Sequence, residues 1–280
     1  MSRASADADD GDGDGDLRGV IEFVEDRVPF EPGYYNEAYL GRRIAARMQR
    51  RDADDHAEYR ALLERDDEER EALLDALTIN VTGFFRDPDM WADLRPVLRE
   101  LSAENGRDGV DVWSAPCADG REPYSLSMLA ADDPEVDERR VRIVAVDISE
   151  EALEAARVGL YETTRTTDIG EELAPLSNPE AYVEREGDTF RVRESVKSRV
   201  TFEPYDLVSD GAKGGMDLVF CRNLLIYIDS EYKEPLFETL RDSIRPGGYL
   251  VLGKTETVPP GCRDAFEPVE KRSRIYRYTG

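Results

Sequence analysis

Apolar residues recur at three- and four-residue spacing along the first third of the chain, the period of an amphipathic helix. Polar residues suited to cap a helix precede three of these segments, at Asp16, Asn36 and Asp55. The pattern predicts a small all-α N-terminal domain over residues 17–88. Its predicted helices are 17–28, 36–51, 55–65 and 68–80, with a further helix near 87–101 that joins the domain to the rest.

From Val110 the pattern changes to short apolar runs that alternate with amphipathic segments. Such alternation predicts strands joined by helices, so residues 89–280 should form an α/β domain with a mainly parallel sheet. Two short runs around Glu186-Gly187-Asp188 interrupt it, and the segment 161–198 is interpreted as a small inserted antiparallel β-subdomain. The predicted strands are 110–114, 141–147, 199–203, 216–221, 249–253 and 273–278, and the predicted helices are 123–131, 149–158 and 230–244.

Acidic residues outnumber basic ones by 62 to 37 in the 280-residue chain, a formal net charge of -25. This balance argues against nucleic-acid binding, which relies on a basic surface. Acids spread through every segment favour solubility where salt screens their repulsion, so a halophilic source with a salt-rich cytoplasm is our hypothesis. Residues 1–16 are acidic, of low complexity and without apolar anchors, which predicts a disordered tail.

The cysteines Cys117, Cys221 and Cys262 are odd in number, widely separated and without C-x-x-C spacing. We therefore expect a reducing compartment and no metal site. No apolar run approaches the length that spans a membrane, and no signal-peptide pattern is visible. The sequence predicts a cytoplasmic protein without membrane insertion, and we expect a monomer.

The segment Val110–Ser125 combines a strand, a small-residue turn centred on Gly120 and a helix start at Pro123. A unit of this kind presents backbone N–H groups and a helix N-terminus to a ligand. Asp147 ends the next strand, where a carboxylate can accept hydrogen bonds from ribose hydroxyls. Residues 116–118 lack the glycines of a dinucleotide fingerprint, so S-adenosylmethionine is preferred over a nicotinamide dinucleotide as the cofactor.

The only histidine, His56, falls in the predicted helical domain, so no histidine-based catalytic pair is expected in the α/β domain. Methyl transfer from a sulfonium is an in-line displacement that needs alignment, and it needs a base only when the nucleophile must lose a proton. A carboxylate substrate is already deprotonated at neutral pH and suits such a site. The residues after strand 216–221 lack the Asn/Asp-Pro-Pro-aromatic motif of nucleic-acid amino methylases.

Four segments resemble the motifs of CheR-type chemotaxis receptor methyltransferases: TINVTGFFRD at 78–87, GREPYS at 120–125, AVDI at 145–148 and FCRNLLIY at 220–227. The resemblance covers about residues 17–278, and four linked motifs in family-like order make it specific. It implies a Rossmann-like S-adenosylmethionine-dependent methyltransferase sheet behind an all-α receptor-docking domain. It also implies methyl transfer to glutamate side chains on the cytoplasmic helical bundle of methyl-accepting chemotaxis receptors, with glutamate methyl esters and S-adenosylhomocysteine as products.

The resemblance also implies site residues, carried over at matching positions. Arg86 corresponds to a residue that positions the substrate carboxylate, and Tyr227 to one that orients the methyl group or the substrate. Glu122 corresponds to an acidic cofactor-binding residue, although a first-turn acid that interacts with the helix dipole is an open alternative. The cofactor-binding residues implied are Asn80, Thr82, Arg86, Gly120, Glu122, Asp147, Asp206, Leu207, Arg222 and Asn223.

The predicted helix 36–51 carries a cluster of arginines, with no acid from position 38 onward. Some of these arginines form a basic stripe beside an apolar stripe at four-residue spacing. Pairing with carboxylates of the same domain is one interpretation. Docking on the acidic methylation helices of a receptor, which the resemblance implies, is favoured. The candidate docking residues are Arg42, Arg43, Arg47, Arg50 and Arg51.

Two other functions stay open. One is a methyltransferase that acts on a different carboxylate substrate. The other is a catalytically silent module that binds the cofactor and a receptor without turnover. Retention of Arg86, Asn223 and Tyr227 weighs against the silent module.

Overall fold

The computed structural model describes residues 13–28, 30, 32–77, 82–104 and 109–280. The chain divides into two compact units. We call Met1–Thr78 with Tyr227–Asp229 the helical unit, and Ile79–Ile226 with Ser230–Gly280 the sheet unit. Most of the predicted acidic tail lies outside the described residues, and the first helix begins at Gly13 rather than at the predicted Leu17.

In the described part of the helical unit, the helices follow the apolar periodicity of the sequence. Two of the predicted caps form: Asn36 Oδ1 accepts the backbone N–H of Tyr39 at 2.9 Å, and Asp55 Oδ1 accepts that of Glu58 at 2.7 Å. The core between the helices contains fully buried side chains such as Tyr59. These helices are α1 (Gly13–Arg27), α2 (Glu37–Arg50), α3 (His56–Arg65) and α4 (Asp67–Leu77).

The sheet unit contains a seven-stranded sheet in the order β6-β2-β1-β7-β8-β10-β9. The first five strands in this order are parallel, and β10 runs antiparallel to β8 and β9. These strands are β1 (Val110–Ser114), β2 (Val141–Asp147), β6 (Val200–Pro204), β7 (Met216–Cys221), β8 (Ile244–Leu252), β9 (Phe266–Glu270) and β10 (Ile275–Tyr278). The longer helices of the unit are α5 (Pro88–Ala103), α6 (Arg121–Asp132), α7 (Glu150–Val158) and α10 (Lys233–Ser243).

The predicted β-insert forms a separate three-stranded antiparallel sheet in the order β3-β5-β4. Gly187 adopts a left-handed conformation, φ +64°, in the tight turn between β4 and β5. The insert contains β3 (Leu160–Glu162), α8 (Ile169–Glu172), β4 (Val183–Glu186), β5 (Thr189–Val192) and α9 (Glu194–Lys197). The α/β class, the mainly parallel sheet, the all-α N-terminal domain and the antiparallel insert are therefore confirmed.

The strand β9 is absent from the sequence prediction. It lies at the edge of the large sheet, contains Pro268, and exposes three of its five residues. An edge strand tolerates proline and has no apolar run to mark it, which is why the pattern did not reveal it.

The strand order reverses beside β1, whose neighbours are β2 on one side and β7 on the other. In open α/β sheets, ligands bind outside the carboxyl ends of the strands at such a point. We call the edge at which β1, β2, β6, β7 and β8 end the carboxyl edge. Within the described ranges, no helix has the length and apolarity to cross a bilayer, and no cluster of side chains suits a metal ion.

Candidate active site

The turn after β1, residues 115–120, is fixed to both neighbouring strands. Ala115 N donates to Phe220 O at 2.8 Å, and Cys117 N donates to Val146 O at 2.8 Å. These bonds continue the β1 ladder beyond the strand. The turn therefore sits at the carboxyl edge, where the sequence predicted it.

Gly120 is required by this turn for two physical reasons. Its φ of +88° lies in the left-handed region that favours glycine. A Cβ at this position would lie 2.7 Å from the Cβ of Ala156 on α7. Glycine thus lets the start of α6 pack closely on the neighbouring helix.

Asp147 ends β2 and is 5% exposed. Its Oδ2 accepts the backbone N–H of Ala118 at 2.8 Å, and its Oδ1 accepts that of Ser149 at 3.0 Å. Burial raises the pKa of Asp147, and the backbone bonds from Ser149 and Ala118 lower it. A carboxylate has about four acceptor positions, so both oxygens retain capacity to bind hydroxyl groups.

Arg222 follows β7, and its buried guanidinium joins three segments of the sheet unit. Nη1 donates to Glu122 Oε2 at 2.7 Å, while Nη2 donates to Asp87 Oδ2 at 2.6 Å and to Arg86 O at 3.2 Å. Burial raises the pKa of Glu122, and the positive charge of Arg222 lowers it. Arg222 therefore holds a buried carboxylate at the start of α6 in a fixed position.

Glu256 is a site residue that the sequence reasoning missed. It is 3% exposed, and its Oε2 accepts the backbone N–H groups of Asn223 at 2.9 Å and Gly253 at 2.6 Å. These bonds join the segments that follow β7 and β8. The available signal was a carboxylate three residues after Gly253, close to a strand end on the carboxyl edge.

The backbone of the site is strained. Phe85, Asp87, Ala118 and Asn223 all have positive φ, between 47° and 60°. Non-glycine residues in this region cost about 1–3 kcal/mol each, and they persist where the surrounding structure determines them. Such residues cluster at functional sites, so this observation supports the placement of the site independently of any motif.

The segment 84–86, which precedes α5, is held beside the site by hydrogen bonds to its backbone. Phe84 N donates to Glu172 Oε2 at 2.9 Å, and Phe85 N donates to Ser125 Oγ at 3.0 Å. Arg86 O accepts the indole N–H of Trp91 at 2.9 Å. The segment is therefore fixed from both sides.

Glu172 provides a pH-dependent test of this packing. Burial raises its pKa, and the bond from Phe84 N lowers it. A raised pKa stabilises the fold at low pH, and that stability is lost as the pH rises from the unfolded value through the folded one. Glu172→Gln keeps an acceptor oxygen but stays neutral. We expect it to raise the urea midpoint relative to the wild type, and to raise it more at pH 7 than at pH 4. The control is Glu171→Gln at an exposed neighbour; equal pH profiles for both variants in urea titrations would contradict the expectation.

The structure brings five of the ten predicted cofactor residues together in one cleft. A cleft at the carboxyl edge is lined by Thr82, Arg86, Glu122, Arg222 and Asn223, together with residues 116–118. Asn80, also a predicted cofactor residue, lies outside the described residues. The convergence of residues from three separate motifs on one cleft is what a cofactor site requires.

Asp206 and Leu207 follow β6, whose Pro204 is paired with Asp147 across the sheet. Leu207 is buried, and Asp206 Oδ1 accepts the backbone N–H of Val208 at 2.9 Å. Both residues thus lie beside Asp147 along the carboxyl edge. Their contact with the adenine stays a prediction.

Tyr227 lies in the helical unit. Its ring centroid is 4.7 Å from that of Tyr39, and its backbone oxygen accepts from Asn36 N at 2.9 Å and from Asn36 Nδ2 at 2.8 Å. The catalytic role that the resemblance implies for Tyr227 stays a prediction.

The arginine cluster on α2 has a partly internal role. Arg47 donates from Nε and Nη2 to the buried carboxylate of Glu69 at 2.9 and 2.5 Å. Arg51 Nη2 lies 2.7 Å from Asp66 Oδ2. For these two arginines, the structure shows the pairing within the unit that was the alternative to docking. The remaining candidates are Arg42, Arg43 and Arg50, of which Arg43 places its guanidinium 5.3 Å from the ring centroid of Tyr39.

Comparison with known proteins decides the family. The model described as CheR methyltransferase, SAM binding domain, matches residues 80–275, and that described as CheR methyltransferase, all-alpha domain, matches residues 15–78. The chain belongs to the CheR methyltransferase family. It is 32% identical over 224 residues to a chemotaxis protein methyltransferase of Listeria monocytogenes, covering 80% of this chain and 83% of the relative. It is 37% identical over 196 residues to chemotaxis protein methyltransferase 1 of Pseudomonas aeruginosa, covering 68% and 70%.

S-adenosylmethionine is the cofactor of this methyltransferase. The carboxyl edge fits it: Asp147 retains acceptor capacity at the strand end where ribose hydroxyls bind. Four buried side-chain polar atoms of the described residues lack a hydrogen-bond partner, and two of them, Arg222 Nε and Glu256 Oε1, belong to side chains described above. A buried polar atom without a partner is costly, and a bound polar ligand is one way to satisfy it.

Proposed function

We propose that this methyltransferase modifies glutamate side chains in the cytoplasmic helical domain of chemoreceptors, forming glutamate methyl esters. The observation that carries the proposal is the family match over both domains, shared with relatives that are chemotaxis protein methyltransferases. Because the match includes the all-alpha domain, it favours a chemotaxis substrate over an unrelated carboxylic acid.

The chemistry of the site supports a carboxylate as the nucleophile. The only histidine, His56, begins α3 in the helical unit. The thiol in the cleft, Cys117, is buried, and burial raises its pKa, so it stays neutral and is a poor base. A glutamate carboxylate is ionised at neutral pH and needs no base.

The residues of this chain then serve to bind and align. The cofactor supplies a methyl carbon bonded to a cationic sulfur. Asp147 would hold the ribose hydroxyls, and Glu122 would lie near the methionine end, where Arg222 fixes it. Arg86, which is exposed on the cleft, would position the substrate carboxylate. Alignment of this kind can supply a large part of the rate of a displacement reaction.

The test is to incubate the protein with methyl-labelled S-adenosylmethionine and purified receptor cytoplasmic fragments. We expect label on the fragment that mild base releases as methanol, which identifies a carboxyl ester. Base-stable label would contradict the proposal. Cofactor binding without any label would favour the silent module.

Receptor docking on α2 can be tested with the arginines that are not held by Glu69. We expect the triple variant Arg42→Glu, Arg43→Glu, Arg50→Glu to lower kcat/KM for the receptor fragment by about tenfold or more, because charge reversal turns attraction to an acidic partner into repulsion. Affinity for S-adenosylhomocysteine, measured by calorimetry, should stay within about twofold.

The matched control for this experiment reverses three exposed arginines elsewhere in the helical unit. It is Arg18→Glu, Arg60→Glu, Arg65→Glu, which changes the net charge equally. Equal losses in the two triple variants would show a general charge effect and contradict docking on α2.

A further inference from the structure

A second cleft, of about 550 Å³, opens at the carboxyl edge of the sheet unit. It lies between the end of β8, the start of α5 and the turn that joins β9 to β10. Four cationic side chains line it beyond the Arg222 already described: Lys254, Lys271, Arg272 and Arg274. We call it the basic cleft.

Backbone bonds fix the position of this turn. Ile275, the first residue of β10, is paired with Val251, and Leu252 N donates to Arg274 O at 3.1 Å. The Arg274 guanidinium in turn donates from Nε to Lys254 O at 3.2 Å. The basic residues of the turn are therefore held beside the end of β8, on the edge where the cofactor residues converge.

The charge of the basic cleft contrasts with that of the chain. The formal net charge is -25, and only five lysines occur, two of which line this cleft. Lys254, Lys271 and Arg272 are exposed, and within the described ranges none of the three forms an ion pair. The carboxylates in the lining are Asp89 and Asp87, and Asp87 already binds Arg222.

Cations outnumber carboxylates in this lining, and such a local excess of positive charge attracts an anionic partner. The basic cleft also adjoins the cofactor site, since Arg222 lines both clefts and binds Asp87 in the basic cleft. In doubly wound sheets the ligand occupies the crevice at the switch point, here beside β1, and the basic cleft lies at the end of β8, two strands along the sheet.

We propose that the basic cleft binds acidic side chains that flank the target glutamate on the protein substrate. This inference rests on the proposed function. It adds to the docking on α2 a second contact with the substrate, made by the sheet unit. Pro88 is exposed in the same cleft, above the buried side chains of Met90 and Leu252, and this apolar surface suits the aliphatic stems of a peptide segment better than a small free anion.

The test neutralises the exposed cations of the cleft with Lys254→Gln, Lys271→Gln, Arg272→Gln. We expect the KM for the receptor fragment to rise about tenfold at low salt, with the difference shrinking as ionic strength rises. We expect kcat and the affinity for S-adenosylhomocysteine to stay within about twofold. The matched control is Arg139→Gln, Arg142→Gln, Lys197→Gln, which removes the same charge near the amino ends of β2 and β6.

A second measurement separates failure of this inference from failure of the proposed function. Binding of a fluorescent glutamate-rich helical peptide is followed by anisotropy, without turnover. Weaker binding in the cleft variant than in the control supports the basic cleft even if receptor fragments gain no ester. Equal KM values and equal peptide affinities in the two variants overturn it.

Discussion

Replacing Arg222 by methionine should lower the free energy of unfolding by about 3–5 kcal/mol, because it leaves a buried carboxylate without its partner. Glu122 is 8% exposed and receives Arg222 Nη1 at 2.7 Å. The same substitution frees Asp87, which is less buried. We expect binding of S-adenosylhomocysteine to be lost together with stability, since the guanidinium holds the start of α6 and the segment before α5.

Urea unfolding of Arg222→Met measures the stability loss, and a double variant tests its cause. Adding Glu122→Gln removes the unpaired charge and should restore more than half of the loss. The pH dependence has a defined sign. Burial already raises the pKa of Glu122, so the loss in Arg222→Met should shrink as the pH falls and the carboxyl becomes protonated. A loss that is independent of pH and unrelieved by Glu122→Gln would contradict this account.

Asp147→Asn should weaken cofactor binding by roughly 2–3 kcal/mol, or about 100-fold in Kd, because hydrogen bonds to a charged group are among the strongest. The amide keeps a single acceptor oxygen, whereas both carboxylate oxygens of Asp147 already accept a backbone N–H. Calorimetry with S-adenosylhomocysteine gives the affinity. The control is Asp119→Asn, which removes an equal charge in the same turn but from an ion pair with Arg121.

A double-mutant cycle, in which one change is in the protein and the other in the ligand, distinguishes loss of the ribose contact from distortion of the turn 115–120. S-adenosylhomocysteine analogues that lack one ribose hydroxyl should lose affinity for the wild-type protein and lose much less for Asp147→Asn. If every analogue loses the same factor in both proteins, Asp147 does not bind the ribose. Its role would then be confined to holding Ala118 and Ser149.

Local patterns in the sequence were sufficient for most of the fold. The helices and the buried strands follow apolar periodicity, and capping residues such as Asn36 mark their starts. Long-range pairing was not visible in the same way. Asn36 binds the backbone of Tyr227, 191 residues away, which places a short segment of the methyltransferase motif in the helical unit. No periodicity of the sequence encodes such a bond.

The site residues show the same difference between local patterns and long-range contacts. Gly120 and Asp147 were predictable because a strand, a turn and a helix place them locally. Glu256 was not, because its role comes from two backbone N–H groups on separate segments. Arg47 shows the same limit: its place in a basic stripe was evident, but its partner Glu69 lies on another helix.

The burial of the cysteines has a practical consequence for studying this enzyme. Cys117, Cys221 and Cys262 are all buried and free, and burial raises the pKa of each thiol. Only the thiolate reacts with maleimides and similar reagents, so the native thiols should label slowly near neutral pH. A single cysteine introduced on the surface would then be the one fast site for a fluorophore or spin label. Distances within the sheet unit could be measured without first removing native residues.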